Sequence, residues 1–159
     1  RDALTGMYNR RHLTEQLDYQ MNTFLRTRQA FSLVSIDIDH FKHINDQHGH
    51  DIGDVVLKAT TQAMSQALRE IDIFGRWGGE EFLCILPNTH RDDAVVCAER
   101  LRNALKEIRF DETVADLRVT ASFGVTSSQD GDSVDEMLKR CDLALYQAKS
   151  DGRDRVAVR

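Results

Sequence analysis

With 159 residues, 21 Lys and Arg against 26 Asp and Glu, and a formal charge of -5, the chain is long enough for one domain with its own core and carries no basic field for a nucleic-acid backbone or an anionic lipid surface. This argues against DNA, RNA and direct membrane contact, and leaves open a nucleotide that brings its own metal ion. No apolar run approaches the ~20 residues of a membrane span, and no signal-peptide layout opens the chain. The start at Arg1 rather than Met leads us to expect one domain, residues 1–159, excised from a longer multidomain protein. Cys84, Cys97 and Cys141 are far apart, show no Cys-x-x-Cys spacing and sit in apolar patterns, as expected of buried free thiols in a reducing compartment.

Leu13, Leu17, Met21, Phe24 and Leu25 recur at helical spacing and predict a first helix from about Arg10 to Arg28. "FSLVSIDI" (Phe31 to Ile38) is a short run rich in β-formers and reads as a central strand. A polar stretch follows. Ile52, Val55, Val56, Ala59, Ala63 and Ala67 then give a second helical stripe ending near Arg69. "IDIFGRW" and "FLCILP" flank "GGEE", a hairpin whose glycines supply the positive φ of a tight turn. Ala94, Cys97, Ala98, Leu101, Leu105 and Ile108 predict a third helix, and "LRVTASFGVTS" (Leu117 to Ser127) a strand. Ser133 with Glu136 three residues on is a capping-box start for the helix carrying Met137, Cys141, Leu145 and Ala148. "RVAVR" reads as an edge strand.

Without the first helix the order is strand, helix, hairpin, helix, strand. That is the ferredoxin-like arrangement of an α/β (α+β) fold, a mostly antiparallel central sheet flanked by helices. A right-handed crossover leaves a gap beside the first strand, and the hairpin's return strand fills it antiparallel. The end of the first strand at Asp37 is thereby expected beside the start of the return strand at Glu80.

Asp37, Asp39, Glu80 and Glu81 then crowd one end of the sheet, and crowded carboxylates repel unless a cation sits among them. Oxygen-only donors favour Mg2+ or Mn2+ over zinc; the alternative is a set of solvated loop acids. "DIDHFKHINDQHGHD" is not an EF-hand, because Phe41 stands where a liganding oxygen is needed and Lys42 where glycine is required. His40, His43, His48 and His50 match no zinc spacing, and neither a Walker A sequence nor Gly-x-Gly-x-x-Gly is present.

"DALTGMYNRR" (Asp2 to Arg11), "DIDHFKHINDQHGHDIGD" (Asp37 to Asp54), "RWGGEEF" (Arg76 to Phe82) and "YQAKSDGRDR" (Tyr146 to Arg155) together resemble, in order and spacing, the GGDEF-domain diguanylate cyclases, here with a GGEEF variant. The resemblance implies a nucleotidyl-cyclase-like fold that condenses two GTP into cyclic di-GMP, releasing two pyrophosphates, with each domain of a homodimer presenting one nucleotide. It implies Mg2+, or Mn2+, on Asp37, the Ile38 carbonyl and Glu80. Glu81 either shares the metal or helps remove the 3'-hydroxyl proton, and the choice of base between Glu80 and Glu81 stays open, as does one metal or two. Lys42 stabilises the phosphates; Asn45 and Asp54 recognise guanine; Phe41, Leu57 and His50 wall that pocket; Lys149 and Arg153 meet the terminal phosphates. "GRD" replaces the more usual "GRN", so Asp154 adds a negative charge nearby. Arg69 and Asp72, with five residues between Asp72 and Gly78, match an inhibitory site for cyclic di-GMP together with Arg100. The resemblance also implies a cytoplasmic setting, with any membrane tether in missing segments. The competing readings are a module that binds GTP or cyclic di-GMP without chemistry, and a dimerisation scaffold.

Overall fold

A strand whose seven residues are all buried, β1 (Ser32–Ile38), forms the centre of the molecule. The structure, a computed structural model, describes residues 1–159 apart from the side chain of Thr113. Around β1 stand α1 (Arg10–Thr27), α2 (Phe41–His48), α3 (His50–Gln66), β2 (Ile73–Gly78), β3 (Glu81–Leu86), α4 (Arg91–Lys106), a 3-10 turn at Glu112–Val114, β4 (Ala121–Ser127), α5 (Val134–Ser150) and β5 (Val156–Val158). The sheet order is β2-β3-β1-β4-β5. As the topology argument expects, β3 fills the gap beside β1 antiparallel to it; β4 is antiparallel on the other side, and β5 adds a parallel edge.

Strand alternation splits the core in two. Val34, Ile36 and Ile38 join Val56, Met64, Ala98 and Leu101 under α3 and α4. Leu33, Leu83 and Ile85 join Leu13, Leu17, Met137 and Cys141 under α1 and α5. Gly124 in β4 is what lets α5 approach: a Cβ there would stand 2.3 Å from the Leu145 nitrogen and 2.6 Å from the Cys141 carbonyl oxygen. The helix starts obey their caps. Asn9 Oδ1 accepts from the His12 N–H at 3.0 Å, and Ser133 Oγ accepts from the Glu136 N–H at 3.2 Å, each satisfying a donor that a first helical turn leaves unpaired. All three cysteines are free and buried. Among the described residues no helix is long and apolar enough to cross a membrane.

Four expectations shift. The polar stretch after β1 is a helix, α2, hidden from periodicity because only Ile44 is buried in it; Gly49, with φ +89, separates it from α3. Leu117 to Thr120 precede β4 instead of forming its first half. In the hairpin only Gly79 takes positive φ, at +51. Finally, Gly78 pairs with Glu81, leaving Gly79 and Glu80 as a two-residue loop. Asp37 therefore lies opposite Glu81, and Glu80 touches β1 through its carbonyl, which accepts from the Ile38 N–H at 3.3 Å.

Candidate active site

The carboxylates gather where β1 and the hairpin end. Asp37 is only 6% exposed and its side chain accepts from the Lys149 ammonium at the end of α5. Burial pushes its proton affinity up; Lys149 opposes the shift, while Glu80 and Asp39 add to it. Glu81 is pushed up too, first by burial and then by Asp37, against the pull of Lys149. A partly enclosed cavity of about 160 Å³ lies beside Glu81, lined also by Arg10, Ser35, Trp77 and Asp142. Arg10 lies 4.3 Å over the Trp77 ring.

Asp39 does not belong with the open acids. It accepts from Thr120 Oγ1 and Ser122 Oγ, both at 2.6 Å, and from the Asp154 N–H at 3.0 Å. With its lone pairs so occupied it ties β1, β4 and the turn after α5 together. Lys149, expected to meet the terminal phosphates, is paired with Asp37.

A cradle lies between the two helices that follow β1 in the chain. Asn45 and Phe41 project from α2 towards Gly53 in α3, where a Cβ would stand 1.8 Å from Asn45 Oδ1 and 3.4 Å from the Phe41 ring. Asn45 Oδ1 is buried with no hydrogen-bond partner, alone in this among the described residues. An orphaned buried acceptor is costly and calls for a ligand. Lys42, His50 and Asp54 are exposed around it, and Leu57 is buried behind, in the core. Arg153 is exposed in the turn after α5. Gly53 and Arg76 were not picked out from sequence. Arg76 donates through Nε to the Gly79 carbonyl at 2.7 Å and through Nη1 to Asp2 at 3.2 Å, clamping the hairpin loop to the "DALTG" segment, whose presence among the motifs was the available signal. Among the described residues no three His, Cys, Asp or Glu side chains form a ready-made metal cage, and the histidines cluster on nothing.

On another face Arg69 grips Asp72, whose side chain is 1% exposed, through Nη2 at 2.9 Å and Nε at 3.3 Å, and donates to Thr89 Oγ1 at 2.8 Å. Burial pushes the Cys97 thiol up, with Arg100 and Arg69 opposing the shift and Asp72 adding to it. Arg69 and Asp72 line a cavity of about 250 Å³ together with Tyr8 and Glu70.

The chain as a whole is similar to known proteins. The model of the family described as "Diguanylate cyclase, GGDEF domain" matches residues 1–155. The chain is 44% identical over 158 residues to the diguanylate cyclase DgcM of Escherichia coli, covering 98% of this chain and 37% of that protein. It is 44% identical over 160 residues to the response regulator PleD of Caulobacter vibrioides, covering 98% and 35%. It thus spans about a third of the length of these relatives. Among solved structures, the diguanylate cyclase SiaD of Pseudomonas aeruginosa, crystallised with its activator SiaC, superposes with a TM-score of 0.96 at 43% identity, covering 100% of this chain and 61% of that one. The active GGEEF domain of a Vibrio cholerae diguanylate cyclase gives 0.90 at 38% identity, covering 96% and 97%. The chain belongs to the GGDEF-domain family of diguanylate cyclases.

Proposed function

We propose that this chain, as two facing copies, condenses two GTP molecules into cyclic di-GMP and releases two pyrophosphates. The observation that carries the reading is the Asp37–Glu81 pair where β1 ends, followed directly in the chain by helices whose buried Asn45 Oδ1 has no partner. An unpaired acceptor suits the N–H donors of guanine, and Asp54 supplies a second acceptor that adenine would not match, since a polar pocket rejects the base that leaves it unpaired. Lys42 and Arg153 meet the phosphates as charges placed where negative charge develops. Glu81, open on one side and raised in proton affinity, suits removal of the ribose 3'-hydroxyl proton. Each copy offers one cradle, so the second nucleotide must come from a partner copy, and alignment of the two supplies much of the rate.

The acids fit Mg2+ or Mn2+. Asp37, the Ile38 carbonyl, Glu80 and Glu81 are hard oxygen donors, and the lack of a preformed cage suits an ion that keeps its waters and shares ligands with substrate phosphates. Asp37 is buried near Glu80 and Asp39, with an ammonium as its counter-charge, so a cation is already favoured there. Bound, the ion would offset negative charge on the triphosphate and at the attacked α-phosphorus. Lys149, displaced from Asp37, has phosphates within its chemistry.

Arg69, Asp72 and Arg100 are read as a site for the product, where arginine forks suit phosphates and guanine edges. The GGDEF domain of DgcB from Caulobacter crescentus, a structural relative at 29% identity, was crystallised with c-di-GMP. We place the protein in the cytoplasm, in keeping with three buried free thiols. The test is incubation of the concentrated chain with GTP and Mg2+, with nucleotides separated chromatographically beside Glu80→Ala. Cyclic di-GMP from the parent alone is the expected result. No product even when a fused coiled coil enforces dimerisation overturns the catalytic reading and leaves a nucleotide-binding module.

A further inference from the structure

The turn after α5 departs furthest from relaxed backbone. Gly152, Arg153 and Asp154 have φ of 122°, 64° and 48° in succession, whereas elsewhere among the described residues positive φ occurs singly. An arginine side chain disfavours that region, and Asp tolerates it better. The turn persists only because something outside it holds it. One tie is the α5 terminus itself, where the Arg153 N–H donates to the Ala148 carbonyl at 3.0 Å. A second is the buried Asp39 carboxylate, which accepts from the Asp154 N–H at 3.0 Å. The third comes from α4: Arg102 Nη1 donates to Asp154 Oδ1 at 3.1 Å and to the Asp154 carbonyl at 3.3 Å, while its Nε is held by Glu99 at 3.0 Å.

We propose that Arg102 is a positioning residue for nucleotide binding: through Asp154 it fixes the turn from which Arg153 reaches the phosphates. Asp154 is the position at which this chain carries a carboxylate in "GRD", and Arg102 both neutralises that charge and converts it into an anchor. The inference rests on the reading of Arg153 as a phosphate ligand, and the experiment separates the two.

Affinity of the 159-residue chain for a GTP analogue with a non-hydrolysable α–β linkage, in Mg2+, is measured by calorimetry for the parent, Arg153→Ala, Arg102→Ala, Arg102→Lys, Asp154→Gly and the double variant Arg102→Ala/Arg153→Ala, with melting followed alongside. Arg102→Ala is expected to weaken binding about tenfold, as misplacement of a binding group does, and Arg102→Lys to restore part of the loss. In the Arg153→Ala background Arg102→Ala should cost nothing more, since the group it positions is gone. Asp154→Gly is the second handle should Arg102→Ala fold poorly. Glycine accepts the left-handed backbone, and deleting a negative charge near phosphates strengthens binding if charge alone matters, whereas loss of the anchor weakens it. Parent-like binding by Arg102→Ala, losses that multiply in the double variant, or tighter binding by Asp154→Gly would each overturn the proposal. Parent-like binding by Arg153→Ala, with Arg102 intact, overturns the phosphate reading itself and the proposal with it.

Discussion

Asp37 at the end of β1 and Asp132 before α5 are both carboxylates tucked against the sheet, and they are treated in opposite ways. Asp132 loses hydration on burial, but the two-pronged grip of Arg140, at 2.7 and 2.9 Å, and the Gln129 N–H at 2.8 Å outweigh that loss and hold its carboxyl below the usual range. Asp37 has one ammonium and stands near Glu80 and Asp39; burial wins and its proton affinity rises. The lesson is that an arginine grips the acid that is structural, while the acid proposed to hold a cation is left under-compensated. A group kept in an unfavourable environment by the rest of the fold is a common mark of function.

Several outcomes break or sharpen that contrast. The largest is expected from Asp37→Asn: synthesis of cyclic di-GMP falls by about a thousandfold or more, while the metal-free protein melts about 2 °C higher. Because Asp37 binds its proton more tightly folded than unfolded, its penalty is full above its raised pKa and vanishes below about 3.8. The stability gain of the variant should therefore fade as the pH is lowered. Asp132→Ala should behave inversely. It leaves synthesis unchanged and costs about 2 kcal/mol at neutral pH. Asp132 binds its proton less tightly folded, so its contribution is present above the unfolded value of 3.8 and is lost as the pH falls through the lower folded value, where the two proteins should converge. Equal stability of parent and Asp132→Ala at neutral pH would erase the contrast.

Arg69 and Asp72 lie between these extremes, a satisfied ion pair that must open if product binds there. Arg69→Ala should raise the cyclic di-GMP concentration needed for half-inhibition by about thirtyfold, a loss expected of a charge-assisted contact, with initial rates unchanged; unaltered inhibition would remove that site. The smallest effect is expected at Gly53. Gly53→Ala places a methyl against Asn45 Oδ1, and the KM for GTP should rise about tenfold with little change in kcat. A loss confined to kcat would show that the cradle does not hold the base.

Much of this was legible in the chain. The strands declare themselves through β-branched runs, and the hairpin through its glycines, so the meeting of Asp37 with the glutamates follows from element order alone. The one-residue offset that puts Glu81 rather than Glu80 opposite Asp37 depends on where pairing stops, at Gly78, and no residue pattern marks that. α2 escaped because a helix with one buried residue leaves almost no apolar period. Asp39 looked like a site acid because its three donors, on Thr120, Ser122 and Asp154, are more than eighty positions away. The same distance in sequence hides the grip of Lys149 on Asp37.

The missing side chain at Gly124 reaches further than packing. α5 rests on β4 at a separation that any methyl group would forbid, and from that contact at Leu145 the helix runs one turn to Lys149, its ammonium on Asp37. Gly124 thus works as the fixed end of a ruler: it sets how far along the sheet α5 can deliver a positive charge. A single hydrogen in place of a methyl calibrates the resting electrostatic potential at a carboxylate that Gly124 does not touch.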